Sequence, residues 1–241
     1  MKRILSTLKE KWPEYLLEGC VIVVSILLAI WLENRNEERQ DGEKRVQYIH
    51  RLTAENQEDL RVFEDQMTFL RQAIRSIEDF TLALNAEDVK DEALVEAASR
   101  YFQYGSISPV FNISTAAFND LSSTGNLRVF KDDSLRGQLV KYYEYSELVK
   151  ERLEINNQWS VTLDGPFQVK HTIMQFEPST RGFFSQQNPS ELADQLRSNK
   201  HDYLNNAAVH YWVDQDAMDQ IQQLVPLTEQ LIVSLQKSIS K

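Results

Sequence analysis

The stretch EYLLEGCVIVVSILLAIWLENRNEER, residues 14–39, passes from an apolar run into a run of acids, amides and arginines. Eleven of residues 15–32 are Leu, Ile or Val, and Glu18 is the one charged side chain among them. Each aliphatic residue contributes about −0.3 to −0.6 kcal/mol to membrane insertion, and a carboxylate near the end of a span costs less than it does at the centre. The sequence therefore predicts a transmembrane helix over residues 15–32.

Two other interpretations of the apolar run are weaker. A core helix of a soluble protein is apolar on one face, but residues 21–24 and 26–30 are apolar on every face. A signal peptide ends in a small-residue cleavage site, and LLAIWLEN, residues 27–34, is a poor one.

Aromatic residues border the span. Trp12 and Tyr15 on one side and Trp31 on the other are suited to the two lipid–water interfaces. One interpretation of Glu18 is that it contacts a partner helix or serves as a proton site. Its position near the end of the span favours the other interpretation, in which its side chain reaches the lipid headgroups.

The flanks of the span hold four Lys or Arg each, so the positive-inside count is a tie. We expect the short basic tail, residues 1–14, to lie in the cytoplasm and the body in the periplasm. A short tail is easily retained, and an acidic body translocates readily.

The rest of the chain is acidic. The protein has 241 residues and a net charge of −10, and its first 32 residues carry +1. An acidic body does not attract phosphate backbones, so we expect no binding of nucleic acid. The single cysteine, Cys20, excludes an intrachain disulfide and a cysteine-based metal site. Seven glycines and six prolines favour helices over turn-rich sheets.

After a charged connector over residues 33–45, with Gly42 as a weak break, mostly apolar residues recur at alternating spacings of three and four. One series is Val46, Ile49, Thr53, Asn56, Leu60, Phe63, Met67, Leu70, Ile74, Ile77, Thr81 and Leu84, and a second is Met218, Ile221, Val225, Thr228, Ile232, Leu235 and Ile239. Such stripes are typical of a coiled coil between chains or of helices packed within one chain. We predict an all-α fold in which one transmembrane helix is followed by an antiparallel bundle of long helices over residues 46–241. A homo-oligomer formed through the first stripe stays open.

Caps and turns divide the segment between the two stripes. Residues 85–90 are predicted to form a polar loop, and residues 91–104 a helix closed by Gly105. Ser114 is predicted to cap a short helix that ends at Gly125, because glycine suits the left-handed position after a helix.

The punctuation continues towards the C-terminus. Asp132 or Asp133 is predicted to cap a helix, and Asn188 a further short one. Residues 165–188 are the least regular part and are predicted to be a surface loop. Pro226 is expected to bend or split the last helix.

The chain resembles a family of bacterial single-pass membrane proteins of unknown function. One similar stretch is the glutamate-containing span, and the other is AAFNDLSSTGNLRVFKDDSLRGQLVKYYE, residues 116–144. The second holds the family pattern of an aromatic, a leucine, Ser/Thr-Gly-Asn-Leu, an acidic or amide turn, Leu-Arg and Tyr-Tyr at Phe118, Leu121, Thr124, Gly125, Asn126, Leu127, Asp132, Leu135, Arg136, Tyr142 and Tyr143. The resemblance implies an anchor followed by a helical domain, with no known activity. Physically the motif reads as a helical hairpin that Gly125 allows to reverse, hence as a folding element.

No pattern of catalytic, cofactor-binding or metal-ligating residues is found. None of the four histidines has Glu-x-x-His or His-x-x-x-His spacing, and no Walker or dinucleotide-binding glycine pattern occurs. We interpret His201 and His210 as solvated or capping side chains. The aromatic groups are interpreted mainly as core, with Tyr145 and Trp212 as the more open candidates for partner contacts.

These observations predict a non-enzymatic, membrane-anchored helical protein without a cofactor. We expect its partners to be membrane lipid and other membrane-protein subunits, as in an accessory or scaffolding subunit of a respiratory or photosynthetic complex. Two alternatives stay open. One is a periplasmic ligand-sensing domain, and the other is an enzyme whose site would gather His171, His201 or His210 with acids in one cleft.

Overall fold

One helix, α1, spans Lys2–Asn85 and carries both the apolar run and the first long stripe. The computed structural model describes residues 2–107, 110–184 and 188–239, and among the first fifteen side chains it describes Trp12 alone. The other α-helices are α2 (Asp91–Arg100), α3 (Ala116–Ser123), α4 (Asp133–His171), α5 (Pro189–Ser198) and α6 (Lys200–Ile239). The predicted all-α class is confirmed, since the described residues contain no strand.

Helices α1 and α6 run antiparallel and form the centre of the body. Their contacts fall into three apolar clusters, in which Ile49 and Leu52 meet Leu231 and Leu235, Phe63 and Leu70 meet Met218 and Ile221, and Phe80 meets Tyr203 and Ala207. Residue numbers fall along α6 as they rise along α1, so the predicted antiparallel packing is confirmed. Helix α4 packs on α6 and adds Val149 and Leu153 to the middle cluster.

The predicted break in the connector is wrong, because α1 continues without interruption through residues 33–45. A glycine within a helix costs only about 1 kcal/mol relative to alanine, and Gln40, Glu43 and Lys44 around the half-buried Gly42 are good helix formers. Opposite charges also lie one turn apart at Arg39 and Glu43 and at Asp41 and Arg45. We call residues 33–45 the stalk, since most of its side chains are exposed.

Helix α2 is closed by Gly105 as predicted, but its last turn is widened into a π-helix, Tyr101–Gly105. The backbone N–H of Ser106 donates to the Tyr101 carbonyl at 3.0 Å, which is the hydrogen bond of a π-turn. Gly105 lies so close to α1 that a Cβ there would be 2.6 Å from Oγ of Ser76 and 2.8 Å from Cγ1 of Ile77. The glycine therefore allows the close approach of the two helices.

The start of α3 is held by two acids of α1 and not by Ser114, so the predicted cap is wrong. The Ala117 N–H donates to both carboxylate oxygens of Glu55 at 3.1 Å. Ser114 donates from its backbone N–H and its hydroxyl to Oδ1 of Asp59, at 3.0 and 2.9 Å. Burial raises the pKa of Asp59, although the two hydrogen bonds from Ser114 act in the opposite direction.

The predicted caps of the later helices are confirmed. Asp132 accepts hydrogen bonds from the Ser134 and Leu135 N–H groups at the start of α4, and Asn188 accepts one from the Ser190 N–H at the start of α5.

The prediction of a surface loop over residues 165–188 is wrong for residues 165–176, but it is confirmed for residues 177–184, which lie outside the α-helices and are mostly exposed. Helix α4 continues through Pro166 and ends at His171, where Thr172 takes a left-handed φ of 51°. Ile173 and Phe176 are then buried in the apolar cluster that contains Phe80 and Tyr203. Pro226 likewise lies within α6 and does not split it.

Candidate functional site

The side chains predicted to contact the membrane lie on the N-terminal part of α1, which no other helix covers. Trp12, Glu18 and Trp31 are exposed, as are all residues from 16 to 40, and the guanidinium of Arg35 lies 5.3 Å from the centre of the Trp31 ring. The side chain of Tyr15 falls outside the described ones. By length and composition this part of α1 can cross a membrane, a test that a signal sequence near the N-terminus also passes.

The predicted hairpin of residues 116–144 lies at the end of the body nearest to the apolar run of α1. Gly125 adopts a left-handed φ of 69°, as predicted for the reversal after α3. Asn126 donates from Nδ2 to the Tyr48 hydroxyl at 3.0 Å, and so ties the turn to α1. Leu121 is buried in the apolar cluster that contains Ile49 and Leu52, and Leu127 packs against that cluster.

The aromatic residues of the motif connect the hairpin to both long helices. The ring of Phe118 stacks on that of Tyr143, with centroids 4.2 Å apart, and the Tyr143 hydroxyl accepts from Nδ2 of Asn56 at 3.0 Å. The Tyr142 hydroxyl lies 2.9 Å from Oγ1 of Thr228 in α6. Burial raises the pKa of both tyrosines.

The remaining residues of the motif hold the start of α4. Leu135 is buried, and Arg136 donates to the Phe130 carbonyl at 2.8 Å and also pairs with Asp133. All of these groups serve packing and hydrogen bonding inside the body, consistent with a folding element.

Two of the four histidines are buried against aspartates. His171 lies 3.1 Å from Oδ2 of Asp202, and the Lys170 ammonium on the same carboxylate is the main cause of the lowered pKa of Asp202. His50 and His201 are exposed, so the interpretation of His201 as solvated is confirmed.

The interpretation of His210 as a solvated or capping residue is wrong, because its side chain is only 1% exposed. Nε2 of His210 lies 2.9 Å from Oδ1 of Asp164, and Nδ2 of Asn206 donates to the same oxygen at 2.9 Å. Oδ1 of Asn206 accepts from the hydroxyl of Tyr101 at 2.7 Å. These four residues form a hydrogen-bonded chain between the π-helix, α4 and α6, which we call the polar centre.

Tyr101 is the residue of the polar centre whose pKa is strongly raised. Burial raises the pKa of Tyr101 well above its usual value, and the nearby charges of Asp164 and Asp214 raise it further. Asp214 is fully buried, one helical turn beyond His210. Nδ1 of His210 is buried and has no hydrogen-bond partner among the described residues.

The polar centre opens on one side to a cavity of about 390 Å³, which His210 and Asp164 line together with Ser160. The Ser160 hydroxyl donates to the carbonyl of Asn157 at 2.9 Å, and so it is not engaged as a nucleophile with the histidine. Within the described part of the chain, no three His, Cys, Asp or Glu side chains are grouped so that they could hold a metal ion. The arrangement can accept and donate hydrogen bonds to a small polar molecule.

Sequence reasoning missed the polar centre because its members are far apart in the chain. Asp164 and His210 are 46 residues apart and belong to different helices. A local signal does exist, since Asn206, His210 and Asp214 follow one another at four-residue spacing on a face that also holds Tyr203 and Ala207. Polar residues in register on an apolar face indicate a buried network.

The other side of α4 and α6 carries exposed aromatic residues. Trp159 and Trp212 meet edge to face with ring centroids 5.8 Å apart, and they are 46% and 52% exposed. Ile155 and Leu163, one turn before and one turn after Trp159, are also exposed. We call these four residues the tryptophan surface, which includes the predicted open candidate Trp212. The other candidate, Tyr145, is partly covered and donates to Gln223 at 3.0 Å.

The resemblance to a family of bacterial single-pass membrane proteins stays a prediction from the quoted motifs. No protein-family model, no curated protein and no solved structure matches the chain.

Proposed function

We propose that this protein is a non-enzymatic, membrane-anchored helical subunit that binds other subunits of a membrane-protein complex, of which respiratory and photosynthetic assemblies are examples. The continuity of α1 carries the proposal. The same helix is exposed and apolar over residues 19–32 and buried against α6 from Tyr48 onwards. An anchor joined to a body by an unbroken helix holds that body at a fixed height, as a scaffold requires.

The tryptophan surface supports a role in protein binding. Trp is enriched at protein–protein interfaces and among the residues that dominate binding energy, and two exposed Trp rings in contact form an anchor of that kind. Arg152 of α4 and Asp216 of α6 form a bidentate ion pair. Arg152 is close to Ile155 in the sequence, so the pair supplies polar groups beside the tryptophan surface.

The proposed location is the bacterial inner membrane, with the N-terminus in the cytoplasm and the body in the periplasm. The basic tail and the acidic body support this orientation.

The test is gentle detergent extraction of the cross-linked full-length protein from its native membrane, followed by mass spectrometry of what accompanies it. We expect defined membrane subunits with the wild type and much less of them after Trp159→Ala combined with Trp212→Ala. Leu82→Ala is the control, because Leu82 is also a large exposed apolar residue, at 71% exposed, but lies on α1. Recovery of the wild-type chain alone in every detergent would refute the proposal.

A second candidate function, a periplasmic ligand-sensing domain, is favoured by one observation. The polar centre offers a buried histidine nitrogen beside a cavity of about 390 Å³, which is within the usual size of small-molecule sites. A small polar molecule that raises the midpoint of thermal unfolding in the wild type but not in His210→Ala would favour this function over scaffolding.

A further inference from the structure

A groove of about 410 Å³ lies between α1 and the end of α2 with its π-helix, and three arginines line it. Arg71 and Arg75 come from α1 and Arg100 from α2, with Tyr104 of the π-helix beside them. Asp79 is the one acidic residue in the lining. We call this feature the arginine groove.

The positive charge of the arginine groove is poorly compensated from within the chain. Arg71 and Arg75 are exposed and one helical turn apart, a spacing at which like charges repel. Among the described residues, no carboxylate oxygen lies within 4.0 Å of either guanidinium. In a chain of net charge −10, such a cluster indicates an external anion as the compensating group.

The walls of the groove are held rigidly. Gly105 brings the π-helix into close contact with α1, which fixes Tyr104 and Arg100 relative to the two arginines opposite. Glu96 holds one nitrogen of Arg100 at 2.7 Å, and the other N–H groups of that guanidinium are available to a ligand. π-Turns of this kind occur frequently at functional sites.

We propose that the arginine groove binds a small phosphate-bearing anion. The planar guanidinium matches the oxygens of a phosphate in bidentate fashion, and the volume of the groove is that of a small-molecule site. Lipid headgroups of the anchoring membrane are too distant to be the source. Arg71 lies 39 residues beyond Leu32 on the same helix, which is about 58 Å along its axis. The ligand is therefore a free phosphate compound in the compartment of the body.

The proposal is tested by calorimetric titration of the full-length protein in detergent micelles, with pyrophosphate and inorganic phosphate as probes. We expect saturable binding, and a loss of about tenfold or more in affinity after either Arg71→Gln or Arg75→Gln, since each removes hydrogen bonds to a charged ligand. Both positions are exposed, so the variants are expected to retain the helix content of the wild type. Arg61→Gln is the matched control, because Arg61 is an exposed arginine of α1 that already pairs with Glu58.

Three results would overturn the proposal. One is the absence of saturable binding of either probe at millimolar concentration, and the second is an equal loss in Arg61→Gln, which would reveal diffuse charge attraction. The third is binding of an acidic peptide to the groove in the absence of any binding of the phosphate probes. None of these results bears on the proposed membrane-subunit function, which is read from co-purifying proteins.

Discussion

Replacement of Gly105 by alanine is expected to destabilise the body, although alanine is the better helix former. A Cβ at this position would lie 2.6 Å from Oγ of Ser76 and 2.8 Å from both Cγ1 of Ile77 and Cδ2 of Tyr101. Relaxed contacts between carbon atoms are about 3.5–4.0 Å. Rotation of the Ser76 hydroxyl would break its 2.7 Å hydrogen bond to the Ala73 carbonyl. Ile77 and Tyr101 are 2% and 0% exposed and can move only together with the surrounding core.

The expected magnitude follows from two opposing effects. Overpacking of a core costs about 1–3 kcal/mol, and the exchange of glycine for alanine returns about 0.5–1 kcal/mol of backbone entropy. The free energy of unfolding should therefore fall by about 1 kcal/mol in Gly105→Ala, and by no more than about 2.5 kcal/mol. Gly137→Ala in α4 is the matched control, because a Cβ there would meet no atom within 4 Å. That variant should gain about 0.5–1 kcal/mol.

The assay is urea unfolding of the full-length protein in detergent micelles, followed by far-ultraviolet circular dichroism. Opposite shifts of the unfolding midpoint are expected for the two variants at an unchanged slope. A Gly105→Ala variant as stable as the wild type would refute the close packing of the π-helix on α1, and with it the rigidity assigned to the arginine groove.

Three further predictions use the same unfolding assay. Pro226→Ala should raise the free energy of unfolding by up to about 3 kcal/mol, because proline inside a helix lacks a backbone donor and crowds the preceding turn; no gain would mean that α6 is interrupted there. Asp59→Asn tests pH dependence. The folded-state pKa of Asp59 is raised above 3.8, so its contribution to stability is full below that pH and is lost as pH rises through the folded value. The free energy of unfolding of Asp59→Asn, relative to that of the wild type, should therefore increase as pH rises from 3.8 to the folded-state pKa of Asp59, and stay constant above it. A decrease would contradict the burial of Asp59. Asp164→Ala should cost about 2–4 kcal/mol because it leaves donors of His210 and Asn206 buried without an acceptor, whereas Asp164→Asn, which keeps one acceptor, should cost less.

Features of the fold that depend on local sequence could be predicted. The stripe spacing placed α1 and α6, and Gly125, Asp132 and Asn188 marked helix boundaries, because each of these signals acts through neighbouring residues. The same reasoning failed at Ser114. A serine before a helix normally caps it, but here its hydroxyl donates to Asp59, which is 55 residues away in the sequence.

Features that depend on packing between distant segments could not be predicted. Residues 165–188 look irregular in sequence, yet Phe176 is fully buried against Phe102, with ring centroids 5.5 Å apart. The polar centre and the arginine groove have the same origin. Each gathers side chains from different helices, and only the register between those helices brings Asp164 to His210 or Arg100 to the arginines of α1.

The length of the stalk follows from where the apolar pattern of α1 stops and resumes. Leu32 is the last residue of the apolar run, and Val46 is the next apolar residue of the helix. Residues 33–45 offer no apolar face for a neighbouring helix to cover. Helix α6 accordingly ends near Arg45, and its Ser238 lines the same cavity as Arg45.

The stalk is therefore a single solvated helix of 13 residues, about 20 Å long. Alone it would be marginal, since isolated helices shorter than about 12–15 residues are barely stable in water. Here no new nucleation step is needed, because both of its ends continue into longer helical segments and only propagation remains. The charged, glycine-containing connector thus forms a continuous helical spacer, and its rigidity depends on the apolar segment of α1 at one end and on the packed body at the other.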